Sequence, residues 1–254
     1  MKLSRFLRLV LLIGGALLAV SLALNVYLFR RAEQYYIDLN AVRLDPLGLS
    51  AYSEALPASD RLRVVFFGDS RAARWPVPEN QTDWEFINRG VEAQTSAQSL
   101  LRFQAHVQPL QPDIVVVQVG VNDLKTIPLF PERKTAIIAA LEKNIHAIVQ
   151  QAKGLGARVI LTTIFPTGEF PLERRLLWSP DIESAVQDVN VYLRSLADSE
   201  VSILDAAVVL SKDGRANAAY YDDELHLNQA GYVALNRELV PMLTALSNST
   251  EKLP

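Results

Sequence analysis

The chain contains no cysteine, and that absence removes disulfide bonds, thiolate metal sites and a cysteine nucleophile from consideration. It also lacks an excess of either charge. Against 28 aspartates and glutamates stand 25 lysines and arginines, leaving a formal net charge of -3 and a pI of about 5.7. No basic stripe alternates with aromatics, so nucleic acid is not an expected partner. Histidine is scarce, with three among 254 residues. No metal constellation and no phosphate-binding glycine loop is visible, and no cofactor is expected. What the chain does have is apolar material: half of its residues are hydrophobic, enough for one sizeable core.

One long run is uncharged. It extends from Leu9 to Phe29, preceded by Lys2, Arg5 and Arg8 and closed by Arg30 and Arg31. At the helical rise of about 1.5 Å per residue it can cross a hydrocarbon core of roughly 30 Å. Ser21 and Ala23 have the small side chains of a signal-peptide cleavage site, which is the alternative reading. Leu24 to Phe29 stay apolar beyond that point, so residues 1–31 read as a retained single-pass anchor with the amino terminus inside. The expected location is the cytoplasmic membrane, with the remaining chain on its periplasmic or extracellular side. Residues 32–60, with Pro46, Gly48 and Pro57, read as a juxtamembrane connector, residues 61–248 as one domain, and 249–254 as a tail.

Within that domain strand and helix patterns alternate. RLRVVFF, the shorter WEFINRG, PDIVVVQVG, ARVILTTIF and VSILDA predict strands; the stretches beginning AQTSAQSLL, AIIAALEKN, DIESAVQDV and NQAGYVALN predict helices. Strands apolar on both faces and separated by helices imply a mainly parallel sheet of about five strands, covered on both sides. Ligands of such folds bind beyond the carboxyl ends of the strands.

The residues at those ends have a common chemistry. Gly68, Asp69 and Ser70 follow the first strand; Asn88, Arg89 and Gly90 end the second; Gly120 to Asp123 follow the third; and DDELHLN, containing Asp223 and His226, precedes the last helix. Acyl transfer to a serine needs a nucleophile, a base, a carboxylate that orients the base, and donors for the oxyanion. Each residue also has a plainer reading. A serine here can cap a helix, Asn122 can serve a turn, and Gly90 can supply a positive φ. His106 and His146 fall in helical patterns and read as packing or surface residues.

Taken in order and spacing, GDS, the glycine of NRG, GVND and DDELHLN resemble the four blocks of the SGNH or GDSL-type serine hydrolases, over roughly residues 62–246. The resemblance implies a three-layer α/β/α, flavodoxin-like fold and an esterase. It makes Ser70 the nucleophile and Asp223 and His226 the rest of the triad, with the Ser70 and Gly90 N–H groups and the Asn122 amide as oxyanion donors. Asp222 competes with Asp223, but the D-x-x-H spacing fits Asp223. Arg71 departs from the common leucine of the motif and is either a solvated first-turn residue or a substrate contact at the mouth of the site. Trp75 is either packing or a ring for sugar stacking. Phe170 and Trp178, in a segment rich in proline, are candidate substrate contacts or parts of a packed loop. The expected substrate is an O-acyl ester, most simply O-acetyl, on an envelope or extracellular glycan. A lipid ester, transfer of the acyl group to a sugar hydroxyl, and a non-catalytic envelope assembly module are the alternatives.

Overall fold

The computed structural model describes residues 4–52, 60–170 and 178–250 and divides into two units, Met1–Pro46 and Leu47–Pro254. The first unit is dominated by helix α1 (Arg5–Leu44), 40 residues without interruption. Ser4 caps it, its hydroxyl accepting from the Leu7 N–H at 3.2 Å. None of its residues is buried within the molecule, and it is long and apolar enough to cross a membrane. Asn25 is the polar residue near the end of the apolar run. Its amide nitrogen donates to the Ser21 carbonyl one turn earlier at 2.8 Å, a partner within the helix itself. The connector expected over residues 32–60 is divided: α1 continues through Leu44, and Leu47–Tyr52 belongs to the second unit.

The second unit is built on a five-stranded parallel sheet: β1 (Leu62–Gly68), β2 (Trp84–Gly90), β3 (Ile114–Gln118), β4 (Arg158–Thr162) and β5 (Val201–Leu204). The spatial order is β2-β1-β3-β4-β5. Residue alternation sorts side chains to two faces, as the period of a strand requires. Val65, Phe67, Val115, Val117, Val159 and Leu161 face one core, which α5 (Lys134–Gly154) completes with Leu141, Ile145 and Ile148, and α6 (Pro180–Ser195) with Ile182 and Val189. Val64, Phe66, Ile114, Val116 and Ile160 face the other, where α8 (Gln229–Thr250) contributes Leu235, Leu239 and Leu243. Each such side chain contributes about 1.5–3 kcal/mol on burial, so the two stacked cores decide the three-layer fold. The remaining helices are α2 (Ser70–Ala73), α3 (Ser96–His106), α4 (Val121–Leu124) and α7 (Ala206–Val209).

Strand β2 coincides with the stretch WEFINRG. It has seven residues and pairs with β1 along its whole length, from Leu62 opposite Trp84 to Gly68 opposite Gly90. From β1 the chain passes to β2 on one side and then to β3 on the other, so the sheet order reverses between β1 and β3. In open sheets of this kind ligands bind at such a reversal, beside the carboxyl ends of the two strands.

Gly90 is required at the end of β2 because α2 lies against it: a Cβ there would stand 2.1 Å from the Ala73 nitrogen and 2.5 Å from the Ala73 Cα. Gly154, the last residue of α5, would place a Cβ within 4 Å of nothing. Gly90→Ala should therefore lower the melting temperature, by a destabilisation of about 1–3 kcal/mol or more. Gly154→Ala should be neutral or stabilising by up to about 1 kcal/mol. Thermal denaturation of the two variants beside the wild type checks both.

Candidate active site

Strand β1 ends at Gly68, and Asp69 turns the chain into α2, its carboxylate accepting from the Arg71 N–H at 2.9 Å. This N-cap fixes the turn that presents Ser70. From the far end of the sequence, residues 221–227 form a closed loop. Tyr221 bridges to Leu227, and the Asp222 N–H donates to the His226 carbonyl at 2.9 Å. Inside the loop one oxygen of Asp223 accepts from the N–H groups of Leu225 and His226 at 2.7 and 2.8 Å. The other stands 2.8 Å from His226 Nδ1. The carboxylate thus sets the tautomer with its proton on Nδ1. His226 Nε2 then faces the Ser70 hydroxyl at 3.1 Å as an acceptor. Burial pushes the Asp223 carboxyl up, but the hydrogen bonds from His226 and the two backbone N–H groups outweigh it, and the net shift is downward. The group stays ionised at neutral pH. Asp222 is exposed and outside this chain of hydrogen bonds.

Asn122, in α4 directly after Gly120, is 4% exposed. Its amide donates one hydrogen to the Gln94 carbonyl at 2.9 Å, leaving a second for another acceptor. Next to it, the Asp123 carboxylate holds the Ser96 N–H at 2.8 Å and hydroxyl at 2.7 Å, fixing α4 to the start of α3. Gly90 departs from its expected role. Its N–H donates to Asn88 Oδ1 at 2.8 Å and so is engaged, and the residue serves the close approach of α2 instead. In the turn that follows, Ala93 adopts φ 59, a left-handed value uncommon for a residue with a Cβ. The N–H groups of Ser70 and Ala93 have no hydrogen-bond partner among the described residues. Sequence reasoning missed Ala93 because glycine, not alanine, is the usual sign of a left-handed turn.

Two of the expected substrate contacts are interior residues. Arg71 is fully buried. Its Nε donates to the Leu225 carbonyl at 2.9 Å and its Nη1 to the Phe165 carbonyl at 3.2 Å, with the guanidinium over the Phe165 ring at 5.1 Å. It is a cross-link between the Ser70 turn and the His226 loop and does not line the mouth of the site. Trp75 is 3% exposed. It packs among Phe66, Phe165 and Tyr232, and its indole N–H donates to Asn236 at 2.7 Å, so its faces are closed to a sugar. Phe170 and Trp178 stack on each other at 4.0 Å; the rest of the segment between them, 171–177, lies outside the described residues. His106 is buried and His146 exposed, in keeping with packing and surface positions.

Known proteins resemble this chain in family and in fold. A family model described as GDSL-like lipase/acylhydrolase matches residues 60–234. No curated protein matches the sequence. Among solved structures, the chain is similar to a GDSL-like lipase from Bacteroides thetaiotaomicron VPI-5482, with 24% identity and a TM-score of 0.60 over 82% of this chain and 97% of that one. It is also similar to a lipase/acylhydrolase from Enterococcus faecalis, at 20% identity and a TM-score of 0.54 over 72% and 96% of the two chains. A variant of an acetyl xylan esterase from Geobacillus stearothermophilus matches at 17% identity and a TM-score of 0.56, over 71% and 93%. At these identities the structural likeness speaks for the fold.

Asp69 carries the clearest pH dependence at this strand end. It is fully buried, and one of its carboxylate oxygens has no hydrogen-bond partner. Burial pushes the carboxyl up from 3.8 to about 6, against the pull of the neighbouring Arg71. A carboxyl with a raised folded pKa holds its proton more tightly in the folded state. Its contribution is therefore most favourable below the unfolded value and declines as pH rises from about 4 to about 6. Asp69→Asn should remove that decline. Its melting temperature should exceed that of the wild type at pH 7, by about 1–3 kcal/mol of stability, and the two should converge near pH 4. Melting curves at intervals between these pH values measure the difference.

Proposed function

Because the chain belongs to the GDSL-like lipase/acylhydrolase family and is a serine ester hydrolase, we propose that Ser70, His226 and Asp223 perform the acyl transfer. The observation that carries this reading is the continuous chain of contacts from Asp223 through His226 to Ser70, at 2.8 and 3.1 Å. In it, the Ser70 oxygen attacks the ester carbonyl as His226 Nε2 takes its proton, and Asp223 stabilises the imidazolium that forms. Collapse of the tetrahedral intermediate expels the alcohol, which receives that proton. Water then attacks the acyl-enzyme by the same route in reverse, releasing the acid and restoring Ser70.

The developing oxyanion is met in this reading by three donors: the Ser70 N–H, the second hydrogen of the Asn122 amide, and the Ala93 N–H in place of the engaged Gly90 N–H. Asn122→Ala should retain the fold while kcat falls by roughly 10²–10³ and KM changes little. Ser70→Ala and His226→Ala should each abolish hydrolysis. Asp223→Asn should cost far more than Asp222→Asn, since only Asp223 touches the imidazole. Steady-state kinetics with a parallel melting curve decide these; near-normal kcat in Asn122→Ala would remove it from the oxyanion site.

For the substrate we infer an O-acyl ester, O-acetyl in the simplest case, on an envelope or extracellular glycan, with α1 holding the enzyme in the cytoplasmic membrane. The apolar, fully exposed surface of α1 supports the membrane part of this reading, and a fold relative acting as an acetyl xylan esterase supports the acyl class. The full chain should stay with the membrane through alkaline carbonate extraction. It should release acetate from acetylated polysaccharide and cleave p-nitrophenyl acetate better than long-chain esters. A preference for long chains would move the reading to lipid esters, and transfer of acetyl to an added glycan in excess of hydrolysis would move it to an acyltransferase.

A further inference from the structure

The residues that follow α1 form a strap against the turn that contains Ala93. The strap, Leu47–Tyr52, precedes the 60–234 span of the family match, yet it is part of the second unit. Three contacts bind it there. The Gln94 side-chain amide donates to the Leu47 carbonyl at 2.7 Å. The Tyr52 hydroxyl donates to the Gly90 carbonyl at 2.6 Å. His106 Nε2 lies 3.3 Å from the Leu49 carbonyl. The Tyr52 ring is enclosed as well, with the Arg89 guanidinium 4.6 Å from its centroid and the His106 ring edge-on at 5.4 Å. Gly48 makes the close approach possible. Its φ is +65, and a Cβ there would meet Val91 Cγ1 at 3.0 Å and Gln94 Nε2 at 3.1 Å.

Gly90 and Gln94, both held by the strap, bracket the turn with Ala93 between them. Gln94 is also a junction. It is 3% exposed; its side-chain oxygen accepts from the Arg102 guanidinium, and its carbonyl accepts from Asn122 at 2.9 Å. The same residue therefore holds the strap by its amide and Asn122 by its carbonyl. We propose that Leu47–Tyr52 is a positioning element of the hydrolase, with Tyr52 as its principal positioning residue, which sets the Gly90–Gln94 turn so that the Ala93 N–H and the Asn122 amide converge on one oxyanion. This rests on the oxyanion roles proposed above. Supporting contacts of this kind act through geometry, since small displacements of preorganised donors cost rate out of proportion to stability.

The test uses the full chain in detergent. Tyr52→Phe keeps the ring between Arg89 and His106 and removes only the hydroxyl; Gly48→Ala displaces the strap from Val91. Each should lower kcat, normalised to active sites, about tenfold while KM stays within about twofold. The loss from Tyr52→Phe should shrink when combined with Asn122→Ala, because the two act through the same donors. Unchanged kcat in both strap variants, with Asn122→Ala still strongly impaired, overturns the strap alone. So does a lowered melting temperature with normal kcat, or a fully multiplicative double variant, either of which marks ordinary packing. Normal kcat in Asn122→Ala by itself overturns the oxyanion reading and the strap with it.

Discussion

Where the chain leaves the carboxyl ends of the parallel strands, two buried guanidinium groups donate to backbone carbonyls and tie separate segments together. Arg102 donates to the carbonyls of Gly68 at 2.7 Å and Arg89 at 2.8 Å, joining the ends of β1 and β2 to α3. Arg71 donates to the carbonyls of Leu225 and Phe165, joining the Ser70 turn to the His226 loop and to the segment after β4. Neither forms a close ion pair with a carboxylate among the described residues, although Asp69 acts on both through space. Burial lowers Arg102 to about 10, which still leaves it cationic at neutral pH. The cost of removing these charges from water is offset by carbonyl dipoles and by the aromatic faces beneath them, Phe67 at 4.3 Å for Arg102 and Phe165 at 5.1 Å for Arg71. A planar fork can reach two divergent loops at once. A lysine, with one point of attachment, cannot hold both in register.

The parts of this molecule that were legible in its sequence are those whose signal is local. IVVVQ is a buried strand because consecutive apolar, β-branched residues fill both faces of a covered sheet, and the Asp223–His226 spacing marks a carboxylate and an imidazole that one short loop brings together. Arg71 and Trp75 were not legible in this way. A charged residue and an aromatic just after a turn at a strand end look like contacts for a substrate until tertiary structure closes over them. Their partners, Leu225 and Asn236, lie 154 and 161 residues away in sequence. The same holds for the strap, which lies in a stretch that reads as a linker because Pro46, Gly48 and Pro57 punctuate it, although its carbonyls are held by Gln94 and His106.

Gly90 and Ala93 show how one glycine can draw attention from its neighbour. Glycine is selected either for backbone freedom or for the absence of a Cβ, and a sequence does not distinguish the two. At Gly90 the absence of a Cβ is what matters, because the Ala73 backbone occupies that space. The left-handed turn falls three residues later on an alanine, where Gln94 is pinned on both sides and over-determines a conformation that costs about 1 kcal/mol or more. A residue kept in such a conformation by its surroundings, with its N–H unpaired among the described residues, is a stronger pointer to function than a glycine would have been at the same place.

The two distances that join Asp223, His226 and Ser70 have different origins. That between Asp223 and His226 arises within four residues, where the carboxylate accepts from the Leu225 and His226 N–H groups and can hardly do otherwise than meet Nδ1. The 3.1 Å between His226 and Ser70 spans 156 residues. No local rule produces it. Arg71, the residue after Ser70, holds the carbonyl of Leu225, the residue before His226. Because each end of that link is one residue from Ser70 or His226, the backbone has almost no slack through which the gap between them can open. The orientation of the imidazole is therefore written in the DDELH loop, while its reach to the serine is written in an arginine at the other end of the domain.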